Sequence, residues 1–232
     1  MTMSDTPLSS TLPDRDLFDF GVRAALGLTF AFYAGVCFNR AFAEFATVDF
    51  SRLDSHLSSQ ALATLAIGLY ALTVACLYAL RLRPIRRASG AWPSAAALLG
   101  GFLMFGLLML DRRTDLPLAA QAAASILILA GNGSAIYVLA HLGRSFSILP
   151  ESRRLVTSGP YQVVRHPLYL AEAVATLGVF IEFLSPVALL LFAMQISMQI
   201  VRIHYEENVL RETFSEYDVY AQHSWRLIPM IY

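Results

Sequence analysis

Long apolar runs alternate along this chain with short clusters of arginine and acid, and that segregation limits what it can fold into. A helix needs about 20 predominantly apolar residues to span the hydrocarbon core of a bilayer. Leu17 to Phe38 and Ala61 to Leu80 meet that length. Pro93 to Leu110 is shorter but almost purely apolar, and Leu118 to Leu142 is long enough to cross with tilt. Two further runs, Leu168 to Phe183 and Pro186 to Val201, are separated only by Leu184 and Ser185, which predicts a tight helical hairpin. Lipid offers the backbone no hydrogen bonds, so main-chain polar groups in such runs must be satisfied inside helices. The expected fold class is an all-α integral membrane bundle of five or six hydrophobic helices.

Composition supports that class and removes others. The chain is 56% hydrophobic and 15% charged, whereas soluble proteins average about 25% charged residues. A formal net charge of +0 leaves no basic footprint for nucleic acid. Cys37 and Cys76 both fall in apolar runs and form neither a disulfide framework nor a metal-ligand spacing. The histidines (His56, His141, His166, His204, His223) are scattered, and no metal site is expected. There is no G-x-S-x-G, Walker or GxGxxG motif to support serine hydrolysis, P-loop chemistry or a Rossmann domain.

Residues 1–16 read as a polar, slightly acidic tail without the order of a cleaved signal peptide. Residues 17–116 follow as N-terminal transmembrane helices, and 117–232 as a C-terminal core. Pro93 and Pro117 stand where helices begin. The patch Gly131-Asn132-Gly133-Ser134 predicts a close helix contact or a kink. If every run crosses, Arg81, Arg83, Arg86 and Arg87 share a side with Arg144, Arg153, Arg154 and Arg165. The other side holds Arg40, Arg52, Arg112 and Arg113, the last two offset by Asp111 and Asp115. By the positive-inside bias, the first group and the C-terminus face the cytoplasm; chain size and arginine usage point to a bacterial inner membrane. Beyond Val201, Ile203, Leu210, Phe214, Tyr217 and Ala221 recur at helical spacing, predicting an amphipathic helix over 202–223 that leaves the bilayer and folds back.

The polar chemistry concentrates in two places. Gly159-Pro160-Tyr161 and Arg165-His166-Pro167-Leu168-Tyr169 lie just before the hairpin, and Glu206-Glu207 lies just after it. Pro167 biases His166 away from helix and pre-sets the first turn of the next one, whose free N–H groups suit an anion or a ligand carboxylate. A headgroup anchor is the competing account of Arg165 and His166. Arg202 and Glu206, four apart on one helical face, form either a local ion pair or two ligand-facing groups.

As an ordered set, LVTSGPYQVVRHPLY, the hairpin, R-x-x-x-EE-x-x-L-x-x-x-F-x-x-Y-x-x-Y and the closing R-L-I-P resemble the isoprenylcysteine carboxyl methyltransferase family, which is related to phospholipid methyltransferases. The likeness covers Leu142 to Tyr232. It implies a cofactor, S-adenosylmethionine, held by Leu155, Val156, Tyr161, His166, Pro167, Leu168, Tyr169 and Glu206. It also implies a substrate-side arginine at Arg202. The chain departs from the family at Phe214-Ser215, where F-G is usual, and at Leu170-Ala171-Glu172, where the eukaryotic enzymes have Trp. The Gln those enzymes place before LVTSG has no counterpart around Ser145-Phe146-Ser147.

The expected function is methyl transfer to a lipophilic acceptor, with Arg202 orienting an acidic group and membrane lipids as surroundings. His166 is the nearest base should the acceptor be an amine or thiol. No obligate protein partner is evident. The R-H-P-x-Y-x-x-E segment and the R-L-I-P-x-I-Y ending also resemble sterol reductases, so an NADPH-dependent membrane reductase is the alternative enzyme. A non-catalytic membrane protein with a lipid-anchoring loop is the alternative outside enzymology.

Overall fold

The computed structural model describes residues 12–47, 55–109, 112–113 and 115–231. Most of the expected tail (residues 1–11), Arg52 and Asp111 lie outside them. Five long helices and one interrupted one build the membrane part. They are α1 (Leu12–Ala46), α2 (Ser55–Leu80), α3 (Ala91–Phe102), α4 (Leu118–Leu142), α5 (Pro167–Phe183) and α6 (Pro186–Thr213). α3 tightens into a 3₁₀ segment over Leu103–Met109, and a short α7 (Tyr217–Gln222) follows α6. Among the described residues four helices are long and apolar enough to cross a bilayer: α1, α2, α4 and α6. Only 17% of the apolar window of α1 is buried inside the protein, so most of that surface needs lipid as its solvent. Leu28, Phe32, Ile126, Leu189 and Leu190 are among the exposed apolar side chains of this belt. The chain is an integral membrane protein.

The helices close into a ring. α1 packs on α2, α2 on α4, α4 on α5, α5 on α6 and α6 on α3. Phe30 of α1 and Phe102 of α3, with ring centroids 5.4 Å apart, complete the circuit. Small residues let α4 and α5 approach closely. A Cβ on Gly131 would lie 2.4 Å from the Ala175 backbone N, and one on Gly178 would lie 2.7 Å from the Ala124 carbonyl O. The glycine patch predicted from sequence thus marks a helix crossing.

The hairpin reaches the far end of the bundle despite its short arms. The Arg113 N–H donates to the Glu182 carbonyl at 3.0 Å, tying the hairpin end to the α3–α4 loop. Ser185 starts α6 by accepting from the Ala188 N–H at 3.1 Å.

At the opposite end the arginine-rich loops join. β1 (Arg86–Arg87) pairs antiparallel with β2 (Glu151–Ser152), and Leu82 N–H donates to the Arg144 carbonyl at 2.8 Å. Beneath them Arg81, 1% exposed, donates to Asp19 of α1 at 2.8 Å. Pairing is what makes so deep a charge tolerable.

Two boundaries differ from the sequence expectation. The described part of α1 already includes residues 12–16, which the sequence assigned to the tail. The single amphipathic helix expected over 202–223 is two pieces. α6 runs straight through Arg202 and the Glu pair to Thr213, Phe214 turns extended (φ −121°, ψ 114°), and α7 starts at Tyr217. The apolar period survives the break because Tyr217, 1% exposed, still packs inward.

Candidate active site

The segment ahead of the hairpin is shaped by its own turn residues. Gly159 adopts φ +62°, a left-handed conformation that favours glycine, and a Cβ there would sit 2.3 Å from Cδ2 of His141. A 3₁₀ turn over Gly159–Gln162 then buries Tyr161. His166 stays non-helical at φ −125°, ψ 55°, and Pro167 opens α5.

The C-terminal strap is stitched to this segment by main-chain bonds. Trp225 N–H donates to the Val163 carbonyl at 2.9 Å, Arg165 N–H to the Trp225 carbonyl at 2.7 Å, and His166 N–H to the Arg226 carbonyl at 3.1 Å. Val164 and Trp225 form a parallel bridge. The region ahead of the hairpin and the end of the chain are therefore one folded unit.

Glu207 locks that unit to α6. Its carboxylate, 1% exposed, accepts from Arg165 Nε at 2.9 Å and from Arg226 at 2.8 and 3.2 Å. Nε2 of His166 lies 3.4 Å away, and Arg211 reaches it at 3.5 Å. Three guanidinium groups on one buried carboxylate make a joint rather than a ligand site. Sequence reasoning singled out the Glu pair without assigning this one a role.

Glu206, one residue earlier, points elsewhere. It accepts a hydrogen bond from the Tyr169 hydroxyl, and the nearest cation, Arg202, is 3.9 Å away. Arg202 is 4% exposed, stacks over the Tyr169 ring at 4.7 Å and donates to the Ile148 carbonyl at 3.0 Å. The local Arg202–Glu206 ion pair, one of the two alternatives for these residues, is thus loose. Gly100 of α3 leaves room for this side chain, since a Cβ there would meet Arg202 Cδ at 3.1 Å. On the bundle side Glu172 accepts from Tyr70 at 2.6 Å and from Gln199 at 3.2 Å.

Tyr169, Arg202 and Glu206 line a cleft at the loop end of the bundle. Of the residues expected to contact a cofactor, Leu155, Val156, Tyr161, His166, Leu168, Tyr169 and Glu206 line it, and so does Arg202. Pro167 does not; its place is the first turn of α5. Burial, reinforced by the Glu206 charge, pushes the Tyr161 phenol up, and burial raises Tyr220 to about 12, so both stay neutral donors.

Five buried polar atoms on the cleft residues lack hydrogen-bond partners: Ser145 Oγ, Glu151 Oε1, Arg153 Nη1, Arg202 Nε and Tyr217 Oη, the Glu151 oxygen having only an ion-pair contact with Arg87 at 2.8 Å. Left dry, each such group costs about 1–3 kcal/mol. A polar ligand carrying amino, carboxylate and hydroxyl groups would satisfy them, and S-adenosylmethionine fits that description. Ser145 and Tyr217 were not singled out in the sequence. A buried tyrosine at helical spacing reads first as core, and a lone serine carries no signal.

A second space lies inside the ring of helices. This cavity, about 180 Å³, is lined mainly by apolar side chains such as Phe30, Ala71, Met104 and Val179. Phe146 and Arg202 belong to both the cleft and the cavity, so the guanidinium stands where the two meet. At the far end the cavity reaches Arg112, which pairs with Glu182 at 3.1 Å and Glu44 at 3.2 Å. Among the described residues no group of three or more His, Cys, Asp or Glu is arranged to hold a metal ion.

Comparison with known proteins finds similarities over part of the chain. Residues 119–217 match the family model described as phospholipid methyltransferase. Protein-S-isoprenylcysteine O-methyltransferase B of Arabidopsis thaliana is 34% identical over 96 residues, covering 38% of this chain and 49% of the relative. The nickel-cobalt-cadmium resistance protein NccN of Alcaligenes xylosoxydans xylosoxydans is 35% identical over 83 residues (35% and 38%). The cobalt-zinc-cadmium resistance protein CzcN of Cupriavidus metallidurans is 35% identical over 99 residues (40% and 45%). The chain spans less than half the length of each of these relatives. Residues 119–217 thus resemble phospholipid methyltransferases, and part of the chain is similar to an isoprenylcysteine methyltransferase.

Proposed function

We propose that this membrane protein uses S-adenosylmethionine to methylate a lipophilic acceptor, a carboxylate in preference to an amine or thiol. The observation that supports this most is the meeting, at Arg202, of a polar cleft and an apolar cavity. A cofactor and an amphiphile, entering from opposite sides, would bring their reactive ends together there.

S-adenosylmethionine supplies a methyl group on a sulfonium, already a strong electrophile. Leu155, Val156, Tyr161, His166, Leu168, Tyr169 and Glu206 would hold it, with Pro167 fixing the start of α5. An ionised acceptor carboxylate needs no base. His166 is also poorly placed to act as one through Nε2, which faces Glu207. Arg202, buried and always charged, is suited to draw in the acceptor's acidic group and orient it. The apolar cavity would take the tail and keep water from the reacting pair. The arginine count supports a cytoplasmic-facing cleft, in a bacterial inner membrane by the same compositional reading.

The test is calorimetric titration of the detergent-purified protein with S-adenosylmethionine, alongside membranes incubated with radiolabelled methyl donor and fractionated for labelled lipids. Binding and lipid labelling are expected. For Arg202→Ala, turnover should collapse while cofactor affinity stays within a few-fold; equal loss of both moves Arg202 into the cofactor site. Protein that binds NADPH but not S-adenosylmethionine overturns the proposal in favour of a reductase.

A further inference from the structure

The cavity wall is not uniformly apolar. Midway along it stands a rung of three polar side chains, Asn132 of α4, Thr176 of α5 and Gln195 of α6, all of them at least 92% buried by exposures of 5%, 8% and 6%. They sit at one level, because Gly131 contacts Ala175 and Gln195 Nε2 lies 3.5 Å from the Thr176 hydroxyl.

The donors and acceptors of this rung are unequally satisfied. Thr176 donates its hydroxyl proton to the Glu172 carbonyl at 2.7 Å, and Asn132 donates its amide N–H to the Ile128 carbonyl at 2.8 Å. Gln195 Oε1, by contrast, is buried without any hydrogen-bond partner. The rung therefore lacks a donor. If it served only to glue α5 to α6, the 3.5 Å contact would be a poor bond, and a leucine at 195 would do as well without leaving a dry carbonyl. A plain hydrocarbon tail in the cavity would leave Gln195 in the same state.

Resting on the reading of the cavity as the acceptor's tail site, we propose that the preferred acceptor carries a hydrogen-bond donor, a hydroxyl or an amide N–H, midway along its apolar chain, and that Gln195 receives it. Gln195 lies seven residues before Arg202 on α6, which at the helical rise puts the donor about 10 Å beyond the acidic group that Arg202 holds. Specificity of this kind is stronger than a hydrophobic pocket gives, because a site built around a polar group disfavours a ligand that leaves it unpaired. An unsubstituted isoprenoid tail is then a poor match for this chain.

The experiment compares myristate with a hydroxymyristate whose hydroxyl lies about 10 Å from its carboxylate. Both are assayed for binding to the purified protein and for methyl transfer, with wild type and Gln195→Leu. Wild type should favour the hydroxylated acid at least tenfold in both readouts. Gln195→Leu should erase the preference by weakening the hydroxylated acid alone, leaving myristate and S-adenosylmethionine binding unchanged. Equal handling of the two acids by wild type overturns the inference, as does a Gln195→Leu protein that loses both acids equally. Thermal unfolding of the variant separates misfolding from altered recognition, and Gln195→Glu, which keeps the acceptor oxygens, provides a second folded probe that should retain the preference. Failure of S-adenosylmethionine binding and of all methyl transfer would instead sink the tail-site reading beneath it.

Discussion

Two neighbouring carboxylates near the end of α6 serve different regions of the molecule. Glu207 faces the strap, where Arg165 and Arg226 hold it at 2.9 and 2.8 Å and burial is almost complete. Glu206 faces the cleft, with a tyrosine hydroxyl for a partner and a cation no nearer than 3.9 Å. The first region is over-satisfied and holds the C-terminus onto the loop. The second is under-satisfied, and Ser145, Arg153, Arg202 and Tyr217 add unpartnered atoms to it. On the proposed reading, the saturated carboxylate serves folding and its loosely held neighbour serves binding.

The largest effect should come from breaking the saturated side. Glu207→Ala leaves Arg165 and Arg226 facing each other around a lost charge, and removing one partner of a buried pair typically costs about 3–5 kcal/mol. Thermal unfolding in detergent should show a marked loss, with cofactor binding lost as the strap detaches.

Next comes Glu206→Gln, which should do the reverse. Its melting temperature should stay close to wild type, while S-adenosylmethionine affinity falls tenfold or more, since hydrogen bonds to a charged group are worth about 1.5–3 kcal/mol and tenfold is about 1.4 kcal/mol. If the two variants behave alike, the division between the faces is wrong.

Gly131→Ala probes the scaffold behind both. The new methyl would meet the Ala175 backbone, and forced overpacking costs about 1–3 kcal/mol, so stability should drop with binding per folded molecule preserved. The smallest effect belongs to Arg113→Ala. Its pair with Asp115 is exposed at the far end, and neither stability nor cofactor binding should change measurably.

Much of this was legible in the sequence because lipid is a severe solvent. The apolar runs gave α4 at its observed bounds, the hairpin with Leu184-Ser185 between its arms, and the grouping of arginine loops at one end. The turn chemistry of Gly159 and Pro167 was equally open, since each residue has few other uses. What stayed hidden depends on non-local pairing. β1 and β2 are two residues each, too short to show a period. Trp225 reads as an interfacial aromatic, whereas its backbone pairs with Val163 and Arg165 sixty-odd positions earlier. The break at Phe214 was missed because an inward-facing apolar pattern continues across it. Nothing in a bare Glu-Glu dipeptide says which carboxylate is the joint; that required knowing where Arg165 and Arg226 arrive.

On the proposed reading, the Glu206 side of α6 forms a cofactor cleft that meets an acceptor cavity at Arg202. Titration with S-adenosylhomocysteine, the demethylated form of the cofactor, across wild type, Glu206→Gln and Arg202→Ala tests it most directly. Saturable binding is predicted for wild type, at least tenfold weaker binding for Glu206→Gln, and affinity within a few-fold of wild type for Arg202→Ala. Absence of binding by well-folded wild type, or equal affinity in all three proteins, would contradict it.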